Sequence, residues 1–317
     1  MTNRALVTGA SGYLGWHVAR ALHERGVEVV GTSQDGSGLP PGVRGRVLAL
    51  DDGGVSGAAL VAELRPDVVL HLAAEANADA CARDPERARA VNAEATGALA
   101  RATSAAGAWL LYTSSDLVFD GTRPPYGEQD PVSPLGPYME SKVAGERATL
   151  EADPAFCVAR VTLLYGLAGG RRESFTDRIV ETLARGESIR LFTDQHRTPL
   201  HVEDAAEILC DLLAGRPGGA LHVGGPERVS RHEHGLALAR ACGFDPALCL
   251  AGDMSDAAGL APRPPDVSLR IDRLRGLLGR SPLGIAAGCE RVALGRARVL
   301  EGLEDEQGGG EQEQVSR

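Results

Sequence analysis

The chain has 317 residues, of which 43% are hydrophobic, and this is enough for one large α/β domain or two smaller ones. Its formal net charge of −10 argues against a nucleic-acid-binding surface and against binding to an anionic membrane. No apolar run approaches the roughly 20 residues of a membrane-spanning helix, and no secretory signal precedes the first predicted strand. We therefore expect a cytoplasmic protein.

The six cysteines are scattered, and none of them forms a Cys-x-x-Cys pair. This pattern favours reduced thiols that act as small core side chains. No group of His, Cys and carboxylate residues has the spacing of metal ligands, so we predict no metal site.

The chain begins with a predicted buried strand, Ala5 to Thr8, a glycine-rich turn, and an amphipathic helix from about Leu14 to Arg25. This order is the context that a dinucleotide-binding fingerprint requires. Gly9 would permit the tight turn, Gly12 would let the backbone approach a pyrophosphate, and Gly15 would let the helix pack closely on the strand. The N–H groups at the helix start would bind the phosphates. The predicted cofactor contacts in this segment are Gly9, Ser11, Gly12, Tyr13, Leu14 and Gly15.

The second predicted strand, Val27 to Thr32, bears on which dinucleotide binds. An NAD enzyme usually has an Asp or Glu near the end of this strand, where the carboxylate holds the ribose 2′-hydroxyl. The strand end here carries no acid, and Thr32 or Ser33 could bind a 2′-phosphate instead. We predict NADP(H), with NAD(H) as the alternative because no arginine lies at the strand end.

Further predicted strands alternate with helices, and they are unbroken apolar runs, typical of a parallel sheet covered on both faces. These strands are Arg46 to Leu50, Val68 to Leu72, Ala108 to Tyr112 and Phe156 to Val161. Residues 1–165 are therefore predicted to form a doubly wound Rossmann domain of the α/β class.

Three places in this half supply further candidate cofactor contacts. Asp51 follows the third strand and is either a contact to the adenine amino group or, with Asp52, an ordinary turn or helix cap. Leu72, Ala73 and Ala74 end the fourth strand, where small residues leave room for a cofactor. Asn92 lies in a predicted long helix, Pro85 to Ala106, as a buried polar link to a neighbouring strand.

The stretch after the fifth strand carries a candidate proton-transfer site. Pro137 suits a helix start because its missing N–H would be unpaired there, and Tyr138 and Lys142 then share one helix face at i and i+4. An ammonium beside a phenol favours the phenolate and would lower the phenol pKa from about 10. Such a phenol could exchange a proton with a substrate oxygen that Ser115 also binds. Tyr-x-x-x-Lys spacing alone is equally compatible with an exposed pair on a solvated face.

Residues 166–300 are predicted to form mainly a smaller substrate-binding lobe, with segments near 200–225 returning to the first sheet. Three arginines in this lobe, Arg171, Arg197 and Arg263, are candidates for gripping a substrate diphosphate, or else surface residues. Residues 301–317 are acidic and poor in large apolar side chains, so we expect a disordered tail.

The sequence resembles the extended short-chain dehydrogenase/reductases. The matching pieces are Thr8 to Gly15, His71 to Ala74, Val91-Asn92, Ser115 and Tyr138-x-x-x-Lys142. Within that family it is most similar to the dTDP-4-dehydrorhamnose reductase branch, whose strand-five signature resembles Thr113 to Gly121, Tyr126 to Asp130 and Pro134.

The resemblance implies a role for each candidate. Tyr138 would donate the proton, Lys142 would lower the pKa of Tyr138 and bind the nicotinamide ribose, and Ser115 would orient the substrate carbonyl. The hydride would come from the nicotinamide ring. The reaction implied is reduction of a 4-keto group on a nucleotide-linked sugar, with Asp116 as a further substrate contact.

The sequence departs from that branch at two positions near the sugar, and other functions stay open. Leu117 stands where the branch has an aromatic residue, and Leu163 matches a position that is typically Trp. A sugar-nucleotide epimerase or dehydratase is one alternative, although a dehydratase would be expected to carry Asp-Glu where this chain has Asp116-Leu117. A non-catalytic cofactor-binding subunit is another, because the regulatory subunit of methionine adenosyltransferase resembles the same branch. The oligomeric state is also open, with a homodimer as one option.

Overall fold

A seven-stranded parallel sheet forms the centre of the protein, whose computed structural model describes residues 2–169, 174–256 and 263–298. The strands are β1 (Arg4–Thr8), β2 (Glu28–Ser33), β3 (Arg44–Val47), β4 (Val68–His71), β5 (Trp109–Ser115), β6 (Cys157–Val161), β7 (Leu164–Tyr165), β8 (Ile189–Phe192), β9 (His196–Arg197), β10 (Leu200–His201), β11 (Gly219–Val223), β12 (Val229–Ser230) and β13 (Cys249–Gly252). The order across the central sheet is β11-β6-β5-β4-β1-β2-β3. This is a doubly wound Rossmann arrangement, as predicted, and its switch point lies between β1 and β4.

Helices cover both faces of the sheet. They are α1 (Tyr13–Glu24), α2 (Val55–Leu64), α3 (Ala78–Arg83), α4 (Pro85–Arg89), α5 (Ala95–Ala105), α6 (Pro137–Ala152), α7 (Phe175–Ala184), α8 (Val202–Gly215), α9 (Arg231–Ala241) and α10 (Asp272–Leu278). Helix α1 packs against α8 on one face, and α2, α5 and α6 pack side by side on the other. A further helix, which the sequence pattern did not indicate, runs from 285 to 298.

The predicted long helix from Pro85 to Ala106 is wrong in one respect, because it is interrupted. A π-helical turn, Ala90–Glu94, separates α4 from α5. The backbone carbonyl of Asn92 in this turn accepts hydrogen bonds from the hydroxyls of Thr96, at 2.9 Å, and Tyr112, at 3.3 Å. Thr96 is a local partner, whereas Tyr112 belongs to β5, so the helix sequence by itself does not reveal this second contact.

The core has two parts. The central strands are fully buried and apolar, with Leu6, Leu70 and Leu110 at 0% exposure. A separate apolar cluster includes Ile179 of α7 and Leu238 of α9. Strand β11 pairs with β6 in the central sheet, so the chain does return to the sheet after residue 200. The division into residues 1–165 and 166–300 stays a prediction, and the tail at 301–317 lies outside the described residues.

Within the described ranges, no helix has both the length and the apolar character needed to cross a bilayer. The same residues contain no group of three or more His, Cys, Asp or Glu side chains arranged to hold a metal ion.

Candidate active site

The glycine-rich turn lies at the carboxyl end of β1, at the switch point of the sheet. Gly9 has a φ of +70°, and a Cβ at this residue would lie 2.8 Å from the backbone of Ala73, so the turn requires glycine. A Cβ on Gly15 would overlap the Gly9 carbonyl oxygen, which explains the close packing of α1 on the turn. A Cβ on Gly12 would meet only the Gly9 carbonyl oxygen within 4 Å, so the space in front of Gly12 is open.

The start of α1 is suited to binding phosphate. Its N-cap is Gly12, and no side chain caps it, so the first N–H groups of the helix face this open space. The Tyr13 phenol donates a 2.8 Å hydrogen bond to the Gly166 carbonyl, which leaves only its backbone for a cofactor. The contacts predicted for Ser11 and Leu14 stay predictions.

The end of β2 has an arrangement that bears on the 2′-phosphate prediction. Thr32 is almost fully buried, and the Ser33 hydroxyl lies 2.9 Å from the Ser37 carbonyl and 3.1 Å from the Asp35 carboxylate. Asp35 also accepts the Ser37 N–H at 3.0 Å, so its carboxylate faces into its own loop. A 2′-phosphate contact by either hydroxyl stays a prediction.

The two acids after β3 have different surroundings. Asp52 accepts the backbone N–H groups of Gly54 and Ser56, each at 2.9 Å, and so caps the start of α2. Asp51 is exposed and lies 3.5 Å from the Arg87 guanidinium. The cap interpretation therefore holds for Asp52, and the adenine contact stays a prediction for Asp51.

Asn92 links the loop after β4 to α6. Its Oδ1 accepts the Glu75 N–H at 2.9 Å, and its Nδ2 donates to the Glu75 carbonyl and to Ser141 Oγ, each at 3.0 Å. Ser141 in turn donates a 2.6 Å hydrogen bond to the Tyr138 carbonyl. The loop that carries Leu72, Ala73 and Ala74 is thereby held against the helix that carries Tyr138 and Lys142. Asn92 is thus a buried polar link between this loop and α6, and its direct cofactor contact stays a prediction.

Lys142 is buried beneath Tyr138 at the carboxyl end of β5. Its side chain is 2% exposed, and Nζ donates to the Thr113 carbonyl at 2.7 Å and lies 4.3 Å above the Tyr112 ring. Burial lowers the pKa of Lys142 to about 7, against the opposing effect of Glu146. Near neutral pH this side chain therefore carries only part of its charge.

Tyr138 faces the cleft, and its pKa differs from the prediction. Burial raises the pKa of the phenol to about 12; the Ser115 hydroxyl opposes this change, and the Asp116 carboxylate adds to it. The predicted lowering by Lys142 is wrong for this structure, because the ammonium is directed at the Thr113 carbonyl and has itself lost charge through burial. Tyr138 is consequently protonated throughout the neutral range.

Ser115 and Asp116 form a hydrogen-bonded pair beside Tyr138. Ser115 Oγ lies 3.1 Å from Asp116 Oδ1 and accepts the Leu117 N–H at 3.2 Å. Asp116 Oδ2 accepts the Thr162 hydroxyl at 3.1 Å and lies 3.9 Å from Arg197 Nε. Burial raises the pKa of Asp116, and Arg197 opposes this shift.

A cleft of about 380 Å³ joins these residues to the smaller lobe, and its lining includes Ser115, Asp116, Tyr138, Leu117, Leu163, Arg197 and Arg263. The sequence placed each of these near a substrate, and the fold brings them together. Arg171 lies outside the described residues. Another cavity, of about 240 Å³, lies between His201 and the 285–298 helix and contains none of the predicted site residues.

The two described candidate arginines differ in what they can bind. Arg197 is 4% exposed, and its guanidinium donates to the Pro264 carbonyl at 3.0 Å and the Pro265 carbonyl at 3.3 Å. These N–H groups of Arg197 are thus engaged by the protein, which argues against the predicted contact between Arg197 and a substrate diphosphate. Arg263 is more accessible and lies 3.7 Å from the Asp79 carboxylate at the cleft wall.

Arg231, at the start of α9, is a cleft residue that sequence reasoning missed. Its Nε donates to Gln195 Oε1 at 2.9 Å, and its guanidinium lies 4.7 Å from the centre of the Phe175 ring. Burial and the nearby Arg197 lower the pKa of Arg231 to about 9. Its Nη1 has no hydrogen-bond partner among the described residues. The capping box of Ser230 and Glu233 marks the helix start in the sequence, but no local signal connects this helix to Ser115.

Comparison with known proteins identifies the family. The model of the RmlD substrate-binding domain matches residues 3–288. The chain belongs to this family. The resemblance to sugar-nucleotide reductases that the sequence motifs indicated is thereby confirmed at the level of the family.

The individual proteins that the chain is similar to include both reductases and a subunit of a different enzyme. The chain is 33% identical over 292 residues to methionine adenosyltransferase 2 subunit beta of Xenopus laevis, covering 90% of this chain and 86% of that protein. It is 33% identical over 280 residues to the probable low-salt glycan biosynthesis reductase Agl14 of Haloferax volcanii, covering 87% and 93%. The crystal structure of dTDP-4-dehydrorhamnose reductase from Bacillus anthracis in complex with NADP matches with a TM-score of 0.82 at 24% identity, covering 93% of this chain and 99% of that one. At this identity the structural match shows the shared fold.

Proposed function

We propose that the protein is an NADPH-dependent reductase of a 4-keto sugar nucleotide. The observation that carries the proposal is the meeting of Ser115 and Tyr138 at one cleft, with Lys142 buried one helical turn along α6 from Tyr138. A glycine turn and an uncapped helix start at the switch point of the sheet suit a dinucleotide. NADPH, when bound, supplies the hydride. The open space at Gly12 is the feature of this chain that fits its pyrophosphate.

The chain's own residues would handle the proton. Tyr138, with its pKa raised to about 12, holds its proton at neutral pH and donates it to the carbonyl oxygen as negative charge develops there. Ser115 acts on the phenol, because its hydroxyl opposes the rise in the pKa of Tyr138. Lys142, held by the Thr113 carbonyl, fixes the end of β5 against α6 below the phenol.

The charge of the cleft supports an anionic substrate. Three arginines line it, Arg197, Arg231 and Arg263, against two carboxylates, Asp79 and Asp116, so the described lining has more positive than negative groups. Arg231 Nη1 has no hydrogen-bond partner among the described residues. A nucleotide diphosphate would offset this excess of positive charge. Leu117 and Leu163 both line the cleft, so the two departures from the dTDP-4-dehydrorhamnose reductase pattern lie where the sugar would bind.

A second function is favoured by a separate observation. Methionine adenosyltransferase 2 subunit beta is 33% identical over 90% of this chain, so a regulatory subunit that binds the cofactor without turnover is the competing proposal. An epimerase or dehydratase on the same fold is less well supported, because Asp116 is followed by Leu117 where a dehydratase would need a second carboxyl group.

The deciding experiment is a screen of NADPH oxidation against dTDP-linked and other nucleotide-linked 4-ketohexoses, with Tyr138→Phe as the matched control. Oxidation that requires both the sugar and Tyr138 supports the reductase. NADPH binding without oxidation of any ketosugar, together with stable association with a methionine adenosyltransferase catalytic subunit, would favour the second function.

A further inference from the structure

A buried chain of polar contacts connects the smaller lobe to Ser115. Arg197 holds the carbonyls of Pro264 and Pro265, which directly follow the cleft residue Arg263. The same guanidinium lies 3.9 Å from Asp116, and Asp116 lies 3.1 Å from Ser115 Oγ. Arg197 and Asp116 are each only 4% exposed, so water competes little for these contacts.

The chemistry of these groups determines where the Ser115 hydrogen points. An ionised carboxylate can only accept hydrogen bonds, so the hydroxyl hydrogen of Ser115 is directed at Asp116 Oδ1. The Leu117 N–H donates to the same Ser115 oxygen at 3.2 Å. The orientation of the Ser115 hydroxyl beside Tyr138 therefore depends on where Asp116 is held.

The position of Asp116 depends in turn on Arg197. The charged groups near Asp116 are Arg197 and Arg231, and Tyr138 is the nearby titratable phenol. The Thr162 hydroxyl donates to Oδ2 at 3.1 Å but carries no charge. A buried carboxylate remains ionised only when a cation compensates it, and among the salt bridges of the described residues Asp116 pairs with Arg197.

We propose that Arg197 and Asp116 are a positioning pair that fixes the orientation of Ser115 beside Tyr138, the proton donor, and that couples this orientation to the segment carrying Arg263. This inference rests on the proposed reductase activity. Binding of an anionic substrate to Arg263 would shift or stabilise the 263–266 segment, and Arg197 would transmit that change through Asp116 to Ser115. Neither residue acts on the substrate directly in this scheme.

The test compares Asp116→Asn in the native background with Asp116→Asn in a Ser115→Ala background, by steady-state NADPH oxidation. If Asp116 acts through Ser115, the substitution lowers kcat roughly 10- to 100-fold in the native background, the range expected for one lost hydrogen bond to a charged group. It should then change kcat less than about twofold once Ser115 is absent. Arg197→Met should follow the same pattern, and Arg197→Lys, which keeps the charge, should restore part of the rate.

Arg228→Gln is the matched control. Arg228 Nε pairs with Asp266 Oδ2 at 2.7 Å, but Arg228 is half exposed, so its loss removes a partly solvated ion pair while Arg197 still holds the carbonyls of Pro264 and Pro265. Its effect on kcat should be small and equal in both backgrounds. Equal losses for Asp116→Asn with and without Ser115 would overturn the proposal and indicate a general structural role.

A crystal structure of Arg197→Met gives a readout that needs no turnover. The proposal requires that Asp116 shifts and that its contact with Ser115 Oγ is lost or rearranged; an unchanged contact would refute it. Absence of ketosugar reduction by the native protein would refute the proposed reductase instead, and the crystallographic result would still decide whether Arg197 positions Asp116. Thermal unfolding of each variant checks that it is folded.

Discussion

Replacing Asn92 by alanine tests whether the proton-transfer helix is positioned by the π-helical turn. The side chain makes three hydrogen bonds, two to the backbone of Glu75 and one to Ser141 Oγ, and it is 1% exposed. At a net contribution of about 0.5–1.5 kcal/mol for each bond, Asn92→Ala should lower the free energy of unfolding by roughly 2–4 kcal/mol.

The same substitution should lower turnover more than stability alone explains. Without Asn92, the loop after β4 is no longer tied to α6, and Ser141 loses a partner while it still holds the Tyr138 carbonyl. A displacement of the phenol by about 1 Å can cost on the order of 100-fold in rate, so we expect a 10- to 100-fold loss in kcat of the folded variant. Urea unfolding followed by circular dichroism measures the first quantity, and NADPH oxidation measures the second.

Thr149→Val is the matched control for Asn92→Ala. Thr149 is fully buried on the same helix, α6, but its hydroxyl donates only to the Gly145 carbonyl of that helix at 2.8 Å. Its loss should cost about 1 kcal/mol or less and leave kcat unchanged. Full turnover by a destabilised Asn92→Ala protein would refute the positioning role of Asn92. An unchanged free energy of unfolding would refute the contribution expected from its three hydrogen bonds.

Four further outcomes are expected. Tyr138→Phe should leave the NADPH Kd nearly unchanged in a fluorescence titration and cut turnover by roughly 10²- to 10⁴-fold, because it removes the proton donor; unaltered turnover would end the assignment. The pKa of Lys142 is about 7 in the folded protein and about 10.4 in the unfolded chain. Between these pH values the unfolded chain binds more protons, so the contribution of Lys142 to the free energy of unfolding rises with pH. Urea midpoints at about pH 7 and about pH 9.5 should therefore increase more for the native protein than for Lys142→Met; an equal response would contradict the buried, discharged amine. Arg231→Met should raise KM for the sugar nucleotide about 10-fold or more without changing the NADPH Kd, whereas Arg228→Gln should change neither constant. A raised NADPH Kd in Arg231→Met would indicate that Arg231 contacts the cofactor and not the sugar nucleotide. NADPH should bind more tightly than NADH in parallel fluorescence titrations, and the reverse order would overturn the argument from the acid-free end of β2.

The glycine-rich turn after β1 was readable from local sequence. Gly9 takes a left-handed backbone conformation that glycine adopts readily, and Gly15 leaves no room for a side chain, so both requirements are visible in the residue type. Pro137 begins α6 as predicted, which places Tyr138 and Lys142 on one face. The alternating apolar runs likewise indicated a parallel sheet, because strands covered on both faces must be hydrophobic throughout.

Properties that depend on burial were not readable in this way. The pKa of Tyr138 was expected to fall and instead rises. The sequence shows that a lysine is near, but not that this lysine is buried and directed at the Thr113 carbonyl. Arg197 was expected to be either a diphosphate contact or a surface residue, yet it is buried and its guanidinium donates to the carbonyls of Pro264 and Pro265. Arg231 was overlooked, although it faces the cleft.

By itself the sequence determined the fold class, the glycine turn and the helix carrying the tyrosine and lysine, because each depends on local backbone preference or on residues within a few positions of one another. Only the tertiary structure decided which arginine is available to a ligand, which carboxylate holds Ser115, and where Asn92 makes its hydrogen bonds. These outcomes arise from contacts between residues far apart in the chain, such as Arg197 and Pro265, which are 68 positions apart. They also arise from the removal of charged groups from water when those segments meet.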